Sequence, residues 1–141
     1  MQYKNQKGFS LIELILVLVI ISILATITFP FLLKARTTAE NKNALATLRT
    51  ASSAQVNFFS QNGRFARLSE LNTSQNGVFG TVTGTDLVRG KFTFQMAPIT
   101  PTDSQLRDGY SIVATKAVAG TDLPCIISVD QNGFILEITS C

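Results

Sequence analysis

The stretch Leu14–Leu33, LILVLVIISILATITFPFLL, runs for 20 residues without a charge between Glu13 and Lys34. At about 1.5 Å per residue, a helix of that length crosses the roughly 30 Å of a bilayer's hydrocarbon layer. A buried core helix is one alternative, but its apolar segment is usually about 10–14 residues long. A cleaved secretory signal is another, with an apolar part of about 7–15 residues and a small-x-small cut site close behind. Here Lys34-Ala35-Arg36 follows the run, and the first Ala-x-Ala comes only at Ala44–Ala46. The reading is a single membrane-spanning helix that stays in the mature protein.

The helical pattern continues beyond the apolar run. No glycine falls between Phe9 and Asn62, and Pro30 is the one proline there. Glycine costs about 1 kcal/mol in a helix interior, so this absence predicts one helix from about residue 9 to 62, roughly 80 Å long. After Lys34, the positions Ala44/Leu45, Leu48, Ala51/Ser52, Gln55/Val56 and Phe58/Phe59 recur at three-to-four spacing. Arg49, Thr50, Ser53, Asn57 and Ser60 fall on the other side. This second half is amphipathic and needs a partner surface. Asn62-Gly63 is the predicted stop. Pro30 lacks a backbone donor and its ring crowds the carbonyl four residues back, which predicts a kink or local melting near Leu24–Pro30. Thr26 and Thr28 are placed to satisfy part of what is freed.

Residues 64–90 read as a Gly/Ser/Thr/Asn-rich connection, with a short helical turn at Arg67–Leu71. Strand signals follow. Phe92, Phe94 and Met96 alternate with polar residues, as do Tyr110, Ile112 and Ala114. Cys125, Ile127 and Val129 lead into the turn Asp130-Gln131-Asn132-Gly133, and Phe134, Leu136 and Ile138 make the expected apolar face of the last strand. Four strands with one apolar face each predict an antiparallel sheet. The fold class is therefore α+β, with the amphipathic half-helix laid across the sheet.

Composition narrows the function. The chain has 141 residues, room for one domain, with 45% apolar and 15% charged residues against a typical quarter charged. It has no His, which excludes His-based triads and His-ligated metals, and two Cys, too few for a Cys₄ zinc site or an Fe–S cluster. No nucleophile–base pair is visible, so no enzyme, no cofactor and no metal are expected. Gly84–Phe92 superficially resembles a phosphate loop, but five residues separate its glycines and Phe stands where Ser or Thr must meet Mg²⁺. Asp130-x-Asn132-Gly133 echoes part of a Ca²⁺ loop without the remaining ligands and reads as a hairpin turn. Asp103 and Asp108 are a weak Ca²⁺ candidate, better read as solvated loop acids. Asn72-Thr73-Ser74 is a formal glycosylation triplet. Twelve Lys+Arg face nine Asp+Glu, and without Lys4 and Lys7 the count is ten to nine. Arg64 and Arg67 beside Phe65 are the one candidate nucleic-acid patch.

Orientation is not decided by charge alone. Lys4 and Lys7 precede the run, while Lys34, Arg36 and Lys42 follow it with Glu40, a near tie by the positive-inside rule. Cys125 and Cys141 bracket the β-rich tail. In an exported compartment they pair, and in the cytosol they would stay free buried thiols. Pairing places the C-terminal part outside the inner membrane.

Glu13 stands out of place at the edge of the apolar run, four residues after Phe9. A carboxylate there is expensive unless a cation meets it. The stretch Lys7-Gly8-Phe9-Ser10-Leu11-Ile12-Glu13-Leu14, followed by the apolar run with Pro30, resembles the class III signal of type IV pilins and pseudopilins. Ser10 stands where Thr is commoner. The long helix, the connection, the sheet and the C-terminal Cys pair resemble the type IVa pilin layout. The resemblance implies a leader at residues 1–8, a transmembrane and filament-core helix at 9–33 and a globular head at 34–141. It implies that a prepilin peptidase cuts between Gly8 and Phe9 and that Phe9 is N-methylated. Glu13 would pair with the Phe9 ammonium of a neighbouring copy and fix its register. The helix would loosen at Pro30 on assembly, and Cys125 and Cys141 would form a disulfide. The partners implied are further copies in a helical filament, the peptidase, the inner membrane and its pilus assembly platform. The implied function is a pilus subunit for adhesion, twitching motility or DNA uptake. A pseudopilin of a type II secretion system is the alternative, and the Cys pair tilts against it. A membrane-anchored binding domain that never polymerises and an anchored enzyme are the readings outside the family.

Overall fold

The computed structural model describes residues 8–120, 122–138 and 141. Lys4 and Lys7 of the expected leader and Thr139 of the last predicted strand lie outside the described residues. The chain divides into two compact units, Met1–Thr38 and Ala39–Cys141. Helix α1, Leu11–Asn62, supplies the helix of the first unit and continues as the helix of the second.

In the first unit every described side chain of α1 is exposed. Leu11 is 75% exposed and Phe31 71%, and none of the apolar window is buried. A core helix would be covered, so the length and bareness of this one fit a membrane span. Helix α1 runs continuously through Pro30, so the helix does not melt over Leu24–Pro30. The threonines nearby also act differently from expectation. Thr26 Oγ1 donates to Ser22 O at 2.6 Å, and Thr28 Oγ1 to Leu24 O at 3.1 Å and Ala25 O at 3.2 Å. These bonds reinforce carbonyls upstream of the one at Thr26 that the proline leaves without its usual donor.

The second unit is an α+β head. Ala44, Thr47, Leu48, Ala51, Ala54 and Gln55 form the buried face of α1. Gly63 ends the helix at φ +67°, and its N–H donates to Phe59 O at 2.8 Å. Only a residue without a Cβ adopts that conformation at little cost. Helix α2, Leu68–Ser74, lies close to the short turn predicted at Arg67–Leu71.

The sheet has six strands rather than four, all antiparallel in the order β1 to β6. They are β1 Thr81–Thr83, β2 Asp86–Arg89, β3 Phe92–Met96, β4 Ser111–Lys116, β5 Cys125–Asp130 and β6 Ile135–Glu137. A third short helix, α3 Gln105–Asp108, precedes β4. The extra hairpin β1–β2 lies in the segment read as a connection. Its signal is weak because β1 is exposed throughout and β2 buries only Leu87. Gly84 and Gly90, at φ +65° and +62°, open the two-residue turns β1–β2 and β2–β3. The glycines that mimicked a phosphate loop are hairpin turn residues.

The core joins the α1 face to Leu87, Phe92, Phe94, Met96, Ile112, Ala114, Ile127 and Val129 from the sheet. The last strand departs from its predicted face. Ile135 packs on the core opposite Val129, while Phe134, Leu136 and Ile138 are 74%, 62% and 54% exposed. The turn decides this. The Asp130 carboxylate accepts from the N–H groups of Asn132 at 2.9 Å and Phe134 at 3.2 Å, fixing a register in which Leu136 faces outward beside Ser128. A one-residue slip exchanges the two faces of a strand.

Candidate functional site

Gly8 and Phe9 precede α1 and are exposed, Phe9 at 82%. Among the described residues nothing lies within 4 Å of a Cβ built on Gly8. The local packing thus places no demand for glycine at this position. Helix α1 then starts in a way the sequence reading missed. Ser10 O accepts from Glu13 N at 3.1 Å and from Leu14 N at 3.2 Å, and the Glu13 carboxylate reaches back to Ser10 N–H at 2.9 Å. Ser-x-x-Glu at the head of an apolar run is the sequence signature of a capping box, of which the Glu13 half, carboxylate to Ser10 N–H, is formed here. Glu13 therefore has a local role within its own chain: it satisfies a donor at the helix start and sets a negative charge at the positive end of the helix dipole. Its carboxylate stays at the surface, where a second donor can approach.

Cys125 on β5 and Cys141 are joined in a disulfide across a sequence separation of 16. Cys141 is also held from α1, since Asn41 Nδ2 donates to its carbonyl at 2.6 Å.

The candidate sites in the head resolve into structural roles. Arg64 and Arg67 do not present an open basic patch. Arg64 grips both oxygens of Glu70, at 2.8 and 2.9 Å, and Arg67 Nη2 meets Asp103 Oδ1 at 2.6 Å. Glu70 also accepts from Arg67 N–H at 2.9 Å. Arg64, first, and this backbone donor hold the Glu70 carboxyl down at about 2, against the opposing pull of partial burial. Phe65 is packed between Phe59 and Tyr110, tilted against the first and edge-on to the second, with ring centroids 4.7 and 4.8 Å away, rather than offered to a base. Asp103 is spoken for by Arg67, and among the described residues no three His, Cys, Asp or Glu side chains gather as metal ligands. Asn72 is 7% exposed, and its amide is spent on Gly80 O at 3.0 Å and Phe79 N–H at 3.1 Å, so the glycosylation triplet is structural. Burial and the Ser52 hydroxyl beside it act in opposite directions on Tyr110, and burial wins, raising its phenol above the ordinary value.

Two comparisons bear on the N-terminal segment. Residues 3–29 match the family model described as "Prokaryotic N-terminal methylation motif". Over 62 residues the chain is 38% identical to "Type IV major pilin protein PilA" of Myxococcus xanthus, covering 44% of this chain and 28% of that protein. The chain thus spans less than a third of the length of this curated relative. No solved structure matches. The methylation motif at residues 3–29 and the partial match to a type IV major pilin support a likeness of this chain to type IV pilins.

Proposed function

We propose that this chain is the structural subunit of a type IV pilus. The precursor is stored in the inner membrane by residues 9–33, with its head at 34–141 outside the cytoplasm. A prepilin peptidase removes residues 1–8 by cutting after Gly8, and Phe9 is N-methylated. The assembly platform then transfers the subunit from lipid into a helical bundle of identical helices. Both surroundings are apolar, so Leu14–Leu33 moves between them at little net cost, which suits extension and retraction powered from outside the subunit. The filament then serves adhesion, motility or DNA uptake, and the subunit catalyses nothing itself.

One observation carries this reading. The apolar run is bare along its whole described length and has a single acid, Glu13, in its first turn. In a bundle of such helices an unpaired carboxylate costs several kcal/mol, and the Phe9 ammonium of an adjacent copy offsets it. Wrong axial registers leave the charge alone and are disfavoured. The openness around Gly8 supports a role for that glycine outside the fold, in fitting the peptidase. Loosening of α1 at Pro30, where one backbone bond is already missing, would let the filament stretch.

The test is direct. Mass analysis of the native N-terminus should find methylated Phe9, and sheared surface filaments should contain this chain. Glu13→Ala should abolish or strongly reduce filament assembly while leaving the head folded. An intact Met1 on dispersed membrane-bound chains, or wild-type filament yield from Glu13→Ala, would overturn the corresponding part of the reading.

A further inference from the structure

Lys116 is a charged side chain that the core encloses, at 5% exposed. Alternation along β4 sends it inward with Ile112 and Ala114, directly opposite Cys125. There its amine meets the carboxamide oxygen of Asn41 on α1. The same carboxamide is held at its other end, because Nδ2 donates to the Cys141 carbonyl at 2.6 Å. The Glu40 carboxylate stands 3.9 Å from the amine and the centroid of the Phe92 ring 5.0 Å away. Glu40 also reaches Lys91, at 3.2 Å. Burying an ammonium for packing alone is costly, and its carboxylate partner here is distant and shared. What the site holds well is a primary amine against an oriented amide, with a carboxylate 3.9 Å from the amine and an aromatic wall.

We propose that Lys116 and Asn41 join in an intramolecular amide bond, with Glu40 as the proton carrier. Glu40 takes a proton from the ammonium, and the freed lone pair of Nζ attacks Cγ of Asn41. Glu40, now protonated, gives its proton to Nδ2 and takes a second from Nζ, so that the Cγ–Nδ2 bond breaks, ammonia leaves, the new amide keeps one N–H and Glu40 is left as the neutral acid. The amine nucleophile, the carboxylate general base and the fixed approach are the three contributions the chain supplies. No oxidant or outside reagent is needed. The bond would tie β4 to α1 beside the Cys125–Cys141 disulfide, a second covalent clasp on the same corner of the head. This inference is independent of the filament reading.

The experiment is the intact mass of the purified full chain, unfolded and reduced. Wild type should be lighter by one ammonia, about 17 Da, and fragmentation should find Asn41 and Lys116 in one cross-linked peptide. Asn41→Ala and Lys116→Arg should keep their full mass, and Glu40→Gln should lose most of the cross-linked fraction. A wild-type chain at full mass overturns the proposal, as does an ammonia loss that persists in Lys116→Arg. The wild-type measurement decides even where a variant fails to fold.

Discussion

The two halves of α1 solve opposite problems. Up to Thr38 its polar side chains bond inward to their own helix: Ser22 to Leu18 O, Thr26 to Ser22 O, Thr37 to Leu33 O and Thr38 to Lys34 O. Beyond Ala39 some polar side chains, Thr47, Thr50 and Ser53 among them, still bond their own helix, but others join it to distant parts of the chain. Gln55 bonds Ala66, Tyr110 bonds Ser52, and Lys116 bonds Asn41. The first half settles its hydrogen bonds locally and leaves its apolar surface bare, as an apolar solvent requires. The second half closes a core of its own. One helix is thus written for two environments, and its energetics should divide at the same place.

The sharpest way to break this contrast is a pair of leucines. Leu48 is fully buried in the head, and Leu18 is 55% exposed in the first unit. Leu48→Ala should destabilise the head by about 2–5 kcal/mol, read from chemical unfolding of the full chain in detergent. Leu18→Ala should leave that transition in place. A comparable loss from both substitutions would show that the two halves fold as one cooperative system.

Gln55 tests how the head fastens its loops. Its amide donates to Ala66 O at 2.8 Å and accepts from Ala66 N–H at 2.7 Å, acting as a single rung of ladder between helix and loop. Gln55→Leu keeps the bulk but strands both backbone groups, at a cost of about 2–3 kcal/mol. Faster amide exchange at Ala66, with the sheet amides unchanged, is the accompanying signature.

How far these features were legible depended on whether their signal was local. The 20-residue apolar run, the glycine-free stretch to Asn62 and the alternation at Phe92–Met96 each exceed chance within one window, and each marks an element that formed. Gln55 also fell on the predicted apolar stripe, but its partner Ala66 lies eleven residues on and carries no mark in sequence. The β1–β2 hairpin escaped because only Leu87 points inward. The face of β6 was misread because Phe134, Leu136 and Ile138 alternate convincingly, while the Asp130 carboxylate sets the register. The Glu13-to-Ser10 cap is a local signal, carried by Ser-x-x-Glu before an apolar run.

The smallest effect sharpens the contrast by pH. The Glu70 carboxyl is held at about 2, against an ordinary value of 4.5, chiefly by the two-pronged grip of Arg64. A depressed carboxyl stabilises the folded head above its unfolded value, and that contribution is lost as pH falls from about 4.5 towards about 2. Glu70 is a third exposed, so solvent screening reduces the effect to about 1 kcal/mol. Glu70→Gln keeps much of the hydrogen bonding but removes the titration. Its head should be less stable than wild type at neutral pH and equal to it near pH 2. The far-ultraviolet helix signal of the first unit should not follow this change, because no group of that ion-pair network belongs to it. An acid limb of equal steepness in both proteins would mean that desolvation has cancelled the pair and that the head's acid sensitivity lies elsewhere.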